Sequence, residues 1–444
     1  MDFIIIYERK QRELENAILL KIELETRGYT CGVFQYYEGD KYNIFNINPP
    51  KVILVPHLYG NPNVCRTFSR YGKANHLINF QYEQILSKKW EELGHHNPKD
   101  EAKKAMHICW GTKTKERLEI TGVPSNNLKV LGALHLDLLR KEYRRDDKVL
   151  KHELSNLFDL DVTKKWTLFL SSFTYANIDD YRLKQNETNA GTNLESFREI
   201  HTNSRDKILE WFQKILKKDT KNIFIYRPHP DELNLDIVME LEKQYPNFRI
   251  IRYSAVKDWI EASDNIYSWY STSVVEAHFL DKPYSILRPL VLPGSFDSVL
   301  LKHANFITQY DEFEKDYFQD DILRKTAIDD FHIDQYYQID KIHPAYKKYC
   351  DFLEEVYHSE KQDYTIGIKD KSIATLKSIS VIFVYFLYKK SKINLEKYRK
   401  KDLKRNFFIE WFIEMDNQIV SNDEKKEIED RLKLILEKNN KNNE

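Results

Sequence analysis

The chain has 444 residues, of which 31% are charged, 41% hydrophobic and 13% aromatic, a composition typical of folded globular proteins. Lysine plus arginine and aspartate plus glutamate both number 69, giving a formal net charge of zero. This balance argues against a dedicated nucleic-acid binder, so we expect no nucleic acid among its partners. Four scattered cysteines without a CxxC pair predict neither a disulfide framework nor a zinc site and fit a reducing cytoplasm.

The first third of the chain alternates short apolar runs with helical patterns. Phe3–Tyr7 predicts a buried first strand and is too short for the apolar region of a signal peptide. A helix is predicted over 13–27, where Ile18, Leu19 and Ile22 recur at helical spacing. Further elements are strands at 30–35, 51–56, 77–80, 107–110 and 128–131 and a short helix at 113–121.

A second cycle begins with the predicted strand Trp166–Leu170, after a charged helix over 137–157 that we expect to bridge two domains. The polar stretch 175–203 shows neither a strand nor a clear helix pattern and is predicted to be a long loop. The remaining elements are strands at 222–227, 249–253, 265–268 and 283–287 and helices at 204–217, 256–262 and 273–280. Strands alternating with helices predict doubly wound α/β topology in both halves.

These patterns predict three parts. Residues 1–150 form a first Rossmann-like domain, 151–310 a second one, and 311–444 a helical C-terminal extension.

The sequence Arg227-Pro228-His229-Pro230 ends the strand at 222–227. Two prolines stiffen the turn and direct the imidazole of His229, which can donate to a phosphate or act as general acid for a departing nucleoside phosphate. Arg227 lies on the same strand face and can bind the same anion. The alternatives are a histidine bonded only to a neighbouring loop and an arginine paired with Asp231 or Glu232.

Three hydroxyl residues, Ser271, Thr272 and Ser273, precede the helix predicted at 273–280. Exposed backbone N–H groups at a helix start bind anions, although the same residues also serve as ordinary N-caps. Glu276 follows in the first turn and can accept from a ribose hydroxyl or simply favour the positive helix end. Ser171 and Ser172, after the strand Trp166–Leu170, are weaker candidates to close the pocket.

Two residues of the first domain are rival candidates for a general base. Glu8 follows the first strand and His57 follows the strand at 51–56, so both are expected at the carboxyl edge of a parallel sheet. For Glu8, a salt bridge to Arg9 or Arg12 is the competing interpretation.

The sequence contains no P-loop, no GxGxxG and no HExxH motif, and only 12 glycines. Kinases, P-loop ATPases and ordinary dehydrogenases are therefore disfavoured. We expect no metal site and no cofactor. The adjacent His95 and His96 lie in a polar loop and are interpreted as solvated.

The C-terminal region contains a mostly apolar run, 379–388, followed by a basic run. Residues 389–405 include nine Lys/Arg and two Asp/Glu, a local charge of +7. The apolar run is too short to span a bilayer, but it can lie in the interface beside anionic head groups. The alternative is a buried C-terminal helix with a basic end.

Four segments resemble the GT-B glycosyltransferases of bacterial surface-carbohydrate biosynthesis, similar to CDP-glycerol glycerophosphotransferases and to Kdo- and sialyltransferase-type families. They are IIIYERKQRELENAILLKIELETRGY, WGTKTKERLEITGVPSNNLKVLGALHLDLLR, LFLSSFTYAN, and the pair of RPHP with SWYSTSVVEAHFLDKP. The resemblance covers roughly residues 1–300. It differs at Ala133-Leu134-His135, where asparagine-proline-arginine is usual, and at Trp269, where an acidic residue is common.

This resemblance implies two Rossmann-like domains facing a cleft. His229 and Ser271–Ser273 would hold the phosphates of a CMP- or CDP-linked donor, and the first domain would bind a glycan or lipid-linked acceptor. The implied activity is metal-independent transfer of a sugar or polyol phosphate in the cytoplasm, with the basic region touching the inner face of the plasma membrane. A GT-B UDP-sugar epimerase and a non-catalytic sugar-binding protein remain alternatives.

Overall fold

The strands of this chain are buried along their whole length, as in Phe3–Tyr7, Val52–Val55 and Trp166–Leu170. Continuous burial of β-branched and aromatic residues is typical of parallel sheets covered by helices on both faces. A computed structural model describes residues 1–38, 43, 45–144, 146–232, 234–319, 327–391, 413 and 415–443. It divides the chain into two α/β units.

The first unit comprises Met1–Gln84, His96–Leu138 and Asp340–Glu444. Its six parallel strands have the order β2-β1-β3-β4-β5-β6. They are β1 Phe3–Tyr7, β2 Cys31–Gln35, β3 Val52–Val55, β4 His76–Asn79, β5 Met106–Cys109 and β6 Leu128–Val130. The helices are α1 Glu15–Thr26, α2 Asn61–Tyr71, α4 Thr112–Ile120, α13 Ala345–His358, α14 Ile368–Ser391 and α15 Asn422–Asn443.

The second unit comprises Ile85–His95 and Leu139–Ile339. Its sheet has the order β12-β11-β10-β7-β8-β9, again parallel. The strands are β7 Trp166–Leu170, β8 Ile223–Arg227, β9 Phe248–Ile250, β10 Asn265–Ser268, β11 Tyr284–Leu287 and β12 Phe306–Ile307. The helices are α3 Lys88–Glu92, α5 Asp147–Phe158, α6 Asp180–Ala190, α7 Glu195–Lys218, α8 Asp236–Gln244, α9 Val256–Ala262, α10 Val274–Phe279, α11 Tyr310–Phe318 and α12 Asp330–Tyr337.

The predicted fold class is confirmed as two Rossmann-like α/β units with a helical C-terminal region. The cleft between the domains stays a prediction. The predicted domain boundaries at 150 and 310 also stay predictions. By compactness, residues 85–95, 139–150 and 311–339 group with the second unit and residues from Asp340 onward with the first.

The predicted long loop at 175–203 is wrong, because α6 and the start of α7 occupy it. α6 buries only Leu183, and the start of α7 buries Phe197 and the polar His201, so neither shows the apolar period that marks a helix. The helix predicted at 137–157 is also shorter than expected. Asp146 accepts from the backbone N–H groups of the residues that follow, and α5 begins only at Asp147.

The C-terminal apolar run 379–388 lies within α14, whereas residues 392–405 of the basic run lie outside the described residues. Among the described residues, no helix has the length and apolar character needed to span a bilayer. All four cysteines are free and buried.

Phe212 on α7 tests the core of the second unit. It is fully buried, with ring centroids 4.9 Å from Phe169 and 4.5 Å from Phe224. We expect Phe212→Ala to lower the free energy of unfolding by about 3–5 kcal/mol because it leaves a cavity. Denaturant titration measures this loss. The control Leu157→Ala, at a residue 71% exposed on α5, should change stability by at most about 0.5 kcal/mol.

Candidate functional site

The strand order places the candidate residues of the second unit at one edge of its sheet. β8 and β10 flank β7 on opposite sides, so the winding direction reverses between β7 and β10. Ligands of open α/β sheets bind outside the carboxyl ends of the strands at such a switch point. Ser171 directly follows β7, Arg227 ends β8, and Ser271 lies shortly after β10. The parallel strands therefore bring residues from three distant segments to the same edge.

A buried carboxylate, that of Glu232, holds the turn after β8. It accepts from the hydroxyls of Ser171 at 2.5 Å and Tyr226 at 2.6 Å, and these two hydroxyls lie 2.8 Å apart. The backbone N–H of His229 also points to Glu232, at 3.4 Å. Ser171 thus serves to position the turn. Glu232 is a candidate site residue that the sequence did not predict. Ser172 is buried as well.

The ring of His229 is fixed by its own turn while its side chain remains 42% exposed. Nδ1 accepts from the backbone N–H of Asp231 at 3.1 Å. When Nδ1 accepts, a neutral imidazole carries its proton on Nε2. His229 therefore presents an Nε2–H donor, which is the form needed to bind a phosphate oxygen.

Arg227 does not form the salt bridge to Asp231 or Glu232 that was the competing interpretation. Its guanidinium donates to the backbone carbonyls of Tyr253 at 2.8 Å and Ser254 at 2.5 Å. Among the described residues no carboxylate lies within 4.0 Å of it. Burial lowers the pKa of Arg227 to about 10, so the side chain is still a cation at neutral pH.

The hydroxyl residues after β10 form a compact turn. The Oγ of Ser271 accepts from the backbone N–H of Ser273 at 3.2 Å, and the N–H of Ser271 donates to Ser268 Oγ. Ser273 occupies the N-cap position of α10, but its side chain makes no capping bond to the backbone. The carbonyl of Thr272 accepts from Val275. Ordinary N-capping thus does not account for the Ser273 hydroxyl.

Glu276 connects this turn electrostatically with the end of β8. Burial raises its pKa to about 7, against the opposing effects of a hydrogen bond from Ser273 and the charges of Lys257 and Arg227. Its Oε2 atom is buried without a hydrogen-bond partner among the described residues. A buried acceptor that lacks a donor can accept a hydrogen bond from a ligand hydroxyl.

Trp269 belongs to the core of the second unit. Its ring lies 4.6 Å from Phe173 and 4.7 Å from His201, and burial lowers the pKa of His201 to about 3. Arg288 donates to the Trp269 carbonyl and pairs with Asp297 at 2.7 Å. Arg288 thus fixes the segment leading to Ser271. Its position directly after β11 could have marked it in the sequence as a candidate site residue.

The two rival bases of the first unit form one pair. β1 and β3 are the neighbouring strands at which winding reverses, and Glu8 and His57 follow them. His57 Nδ1 lies 3.5 Å from Glu8 Oε2. Burial alone would raise the pKa of Glu8, but the hydrogen bond and charge of His57, with the charges of Arg9 and Arg12, hold it below its ordinary value. Glu8 is therefore an ionised carboxylate that orients His57.

A π-helical turn at Lys10–Leu14 sets the position of Glu8. Glu13, fully buried, accepts from the backbone N–H groups of Glu8 at 2.6 Å and Arg9 at 3.3 Å. It also pairs with the guanidinium of Arg12 at 2.6 Å. Arg12 also lies 3.5 Å from Glu83, and among the described residues it forms no ion pair with Glu8 within 4.0 Å.

Aromatic rings flank the imidazole of His57. Its centroid lies 5.4 Å from both Tyr36 and Tyr59, and it is stacked on Tyr59. The hydroxyl of Tyr59 lies 3.2 Å from His96 Nδ1, which is 3.3 Å from Glu83 Oε2. The expectation that His96 is solvated is wrong, because its side chain is only 13% exposed.

Arg66 on α2 adds a cation to this group. Its guanidinium lies 5.5 Å from the ring centroid of Tyr36. The charges of Tyr36, Tyr37 and Glu8 all raise the pKa of Arg66, and that of Tyr36 has the largest effect. No carboxylate lies within 4.0 Å of Arg66 among the described residues. The hydroxyl of Tyr36 is buried and has no hydrogen-bond partner there. Sequence reasoning missed both residues because no motif marks them.

The chain matches no protein-family model and no curated protein, but its fold is similar to solved structures. UDP-GlcNAc 2-epimerase from Neisseria meningitidis bound to UDP-GlcNAc is 12% identical, with a TM-score of 0.47 over 80% of this chain and 100% of that chain. An S. aureus MnaA–UDP structure is 12% identical, with a TM-score of 0.48 over 82% and 100%. A variant of the wall teichoic acid polymerase TagF is 12% identical, with a TM-score of 0.47 over 80% and 88%. These are GT-B enzymes; at such identities and TM-scores the likenesses assign no activity to this chain.

The raised pKa of Glu276 predicts a pH-dependent stability. With a folded-state pKa of about 7 and an ordinary value of 4.5, the folded protein binds more protons than the unfolded chain between these limits. Stability contributed by the protonated carboxyl is therefore lost as pH rises through this window. We expect Glu276→Gln to melt at a higher temperature than wild type above pH 7 and at the same temperature near pH 4.

Thermal unfolding from pH 4 to 8 measures this difference. Glu199→Gln, at an exposed position of α7, serves as the matched control and should follow wild type throughout. Parallel curves for Glu276→Gln and wild type would contradict the assigned environment of Glu276.

Proposed function

We propose that this protein is a metal-independent glycosyltransferase. It transfers a sugar or a polyol phosphate from a nucleotide-activated donor, CMP- or CDP-linked, to a surface-polysaccharide or lipid-linked acceptor. The second unit binds the donor and the first unit binds the acceptor.

One observation carries the donor assignment. Arg227, with no carboxylate within salt-bridge distance among the described residues, is electrostatically coupled to Glu276, whose Oε2 lacks a donor. This pair lies at the switch-point edge of the sheet, where nucleotides bind in α/β proteins. Arg227 supplies positive charge for the diphosphate, and Glu276 accepts from a ribose hydroxyl.

His229 supplies the third donor-site function. Its Nε2–H donates to a phosphate oxygen, and the cation at Arg227 stabilises the negative charge that develops on the leaving nucleotide. Ser271, Thr272 and Ser273 border the same edge and contribute hydroxyl and N–H donors. Ser171 and Ser172 have a supporting role at this edge, since Ser171 is hydrogen-bonded to Glu232.

The acceptor is activated in the first unit. His57, oriented by the ionised carboxylate of Glu8, takes the proton from the acceptor hydroxyl as its oxygen attacks the donor. The bond between the transferred group and the nucleotide phosphate oxygen breaks, and its electron pair leaves with the nucleotide. His57 is then the base and Glu8 its positioning residue.

A UDP-sugar epimerase and a non-catalytic sugar-binding protein are the competing functions. An epimerase requires no acceptor, so conversion of a UDP-sugar in the absence of acceptor would replace the transferase proposal. A protein that binds sugars but no CMP, CDP or UDP would support the binding function. For the transferase, we propose a location on the cytoplasmic side of the plasma membrane.

A nucleotide thermal-shift panel with CMP, CDP and UDP tests donor binding. A cytidine nucleotide at a hundredfold excess over Kd should stabilise the chain by about 2.7 kcal/mol. His229→Ala should weaken binding at least about tenfold, because a charge-assisted phosphate hydrogen bond is lost. The matched control His152→Ala, at an exposed residue of α5, should leave binding unchanged. Equal shifts in wild type and His229→Ala would remove His229 from the donor site.

Replacing His57 tests acceptor activation. We expect His57→Gln to lower kcat by about 10²–10⁴-fold, the range of a lost general base, while nucleotide affinity is retained. Glu8→Gln should lower kcat less, and Glu8→Asp should recover part of that loss, as expected for a positioning residue. Transfer from candidate nucleotide-linked donors is measured with His358→Gln as control, an exposed histidine of α13. Full activity in His57→Gln would assign the base elsewhere.

A further inference from the structure

One face of α14 is apolar and exposed. Leu376, Ile379 and Phe383 are 65%, 46% and 60% exposed and recur at i, i+3 and i+7, so they form a stripe on one side of the helix. Ile373 and Val384, 42% and 38% exposed, lie beside it. Single exposed apolar side chains are ordinary, but a continuous stripe marks an interaction surface.

The opposite face of α14 already has its partner within the first unit. Ala374 and Ser378 are buried, and Ser378 Oγ lies 3.1 Å from Ser69 Oγ on α2. A surface helix normally directs polar residues outward once its inner face is packed. Packing against the described residues of this unit therefore does not account for the apolar outward stripe of α14.

The basic residues of α14 and of the sequence after it indicate which partner covers the stripe. Lys369, Lys371 and Lys377 are exposed on the same helix, and the sequence continues into residues 389–405 with a local charge of +7. The whole chain is neutral, so along the sequence positive charge is concentrated in α14 and directly after it. Apolar side chains adjoining lysines and arginines are the features with which a helix lies in the interface of an anionic bilayer.

We propose that α14 docks on the surface of a membrane containing anionic phospholipids. Leu376, Ile379 and Phe383 insert among the acyl chains, and Lys369, Lys371 and Lys377 bind the head groups. The helix lies in the plane of the interface and does not cross the bilayer.

The docking helix is built onto the unit that holds Glu8 and His57. α14 packs on α2, which carries Arg66 near Tyr36. Tyr385 of α14 donates to Asp416, and the nearby Gln418 accepts from the backbone N–H of Lys10, in the turn that positions Glu8. Docking would therefore bring a lipid-linked acceptor to this unit. This consequence rests on the proposed transferase activity, whereas docking itself does not.

Vesicle flotation of the full-length chain tests docking. We expect wild type to float with vesicles of mixed phosphatidylglycerol and phosphatidylcholine, and not with phosphatidylcholine alone. Leu376→Gln/Phe383→Gln should reduce the bound fraction at least about tenfold. The matched control Ile120→Gln/Ile342→Gln, at residues 86% and 80% exposed in the same unit, should bind like wild type. High salt should weaken wild-type binding because it screens the head-group attraction.

Equal flotation of the Leu376/Phe383 variant and wild type would overturn the proposal. So would a wild-type dimer, detected by light scattering, that this variant abolishes, because the stripe would then cover a second copy of the chain. Nucleotide thermal shifts on the same samples keep the two proposals separate. A variant that loses vesicles but retains nucleotide binding supports docking, and absence of nucleotide binding in wild type affects only the transferase proposal.

Discussion

Each α/β unit depends on one glutamate buried beneath a loop that follows a strand. Glu232 and Glu13 are 1% and 0% exposed. A buried carboxylate is costly unless donors surround it. Glu232 accepts from two hydroxyls and faces the N–H of His229, and Glu13 accepts from two backbone N–H groups and from Arg12. In the second unit this fixes the backbone of His229, which is proposed to meet the donor. In the first unit it fixes the backbone of Glu8, which positions the proposed base His57.

In this arrangement the residues that hold the candidate sites in place differ from those proposed to bind or react with substrate. The buried carboxylates are saturated with hydrogen bonds, whereas Glu276 Oε2 has no donor among the described residues and the His229 side chain is 42% exposed. Groups that are held in place before a ligand arrives need little reorganisation when charge develops, and such preorganised polar groups are effective in catalysis. The rigid prolines around His229 and the π-helical turn after Arg9 serve the same end by different means.

Charge distribution matters more than total charge in this chain. Equal numbers of acidic and basic residues give no net attraction to an anionic surface, yet cations collect near the two candidate sites and along α14. Arg227 and Arg66 have no carboxylate within salt-bridge distance among the described residues, while Arg12 and Arg288 are tied to carboxylates. The first pair can bind anionic substrates, and the second pair holds loops in place.

The sequence by itself determined the alternation of strands and helices, the parallel sheets and the strand-end positions of Glu8, His57 and Arg227, because these follow from local apolar periodicity and turn chemistry. It did not reveal α6 and the start of α7, since α6 buries only Leu183 and the start of α7 buries Phe197 and the polar His201, too few apolar residues to show a helical period. Only the tertiary structure paired Glu8 with His57, placed Glu232 under His229, and brought Tyr36, Arg66 and His96 to the same region. These contacts join residues far apart in the chain, and their energies depend on burial and direction, which no local pattern records.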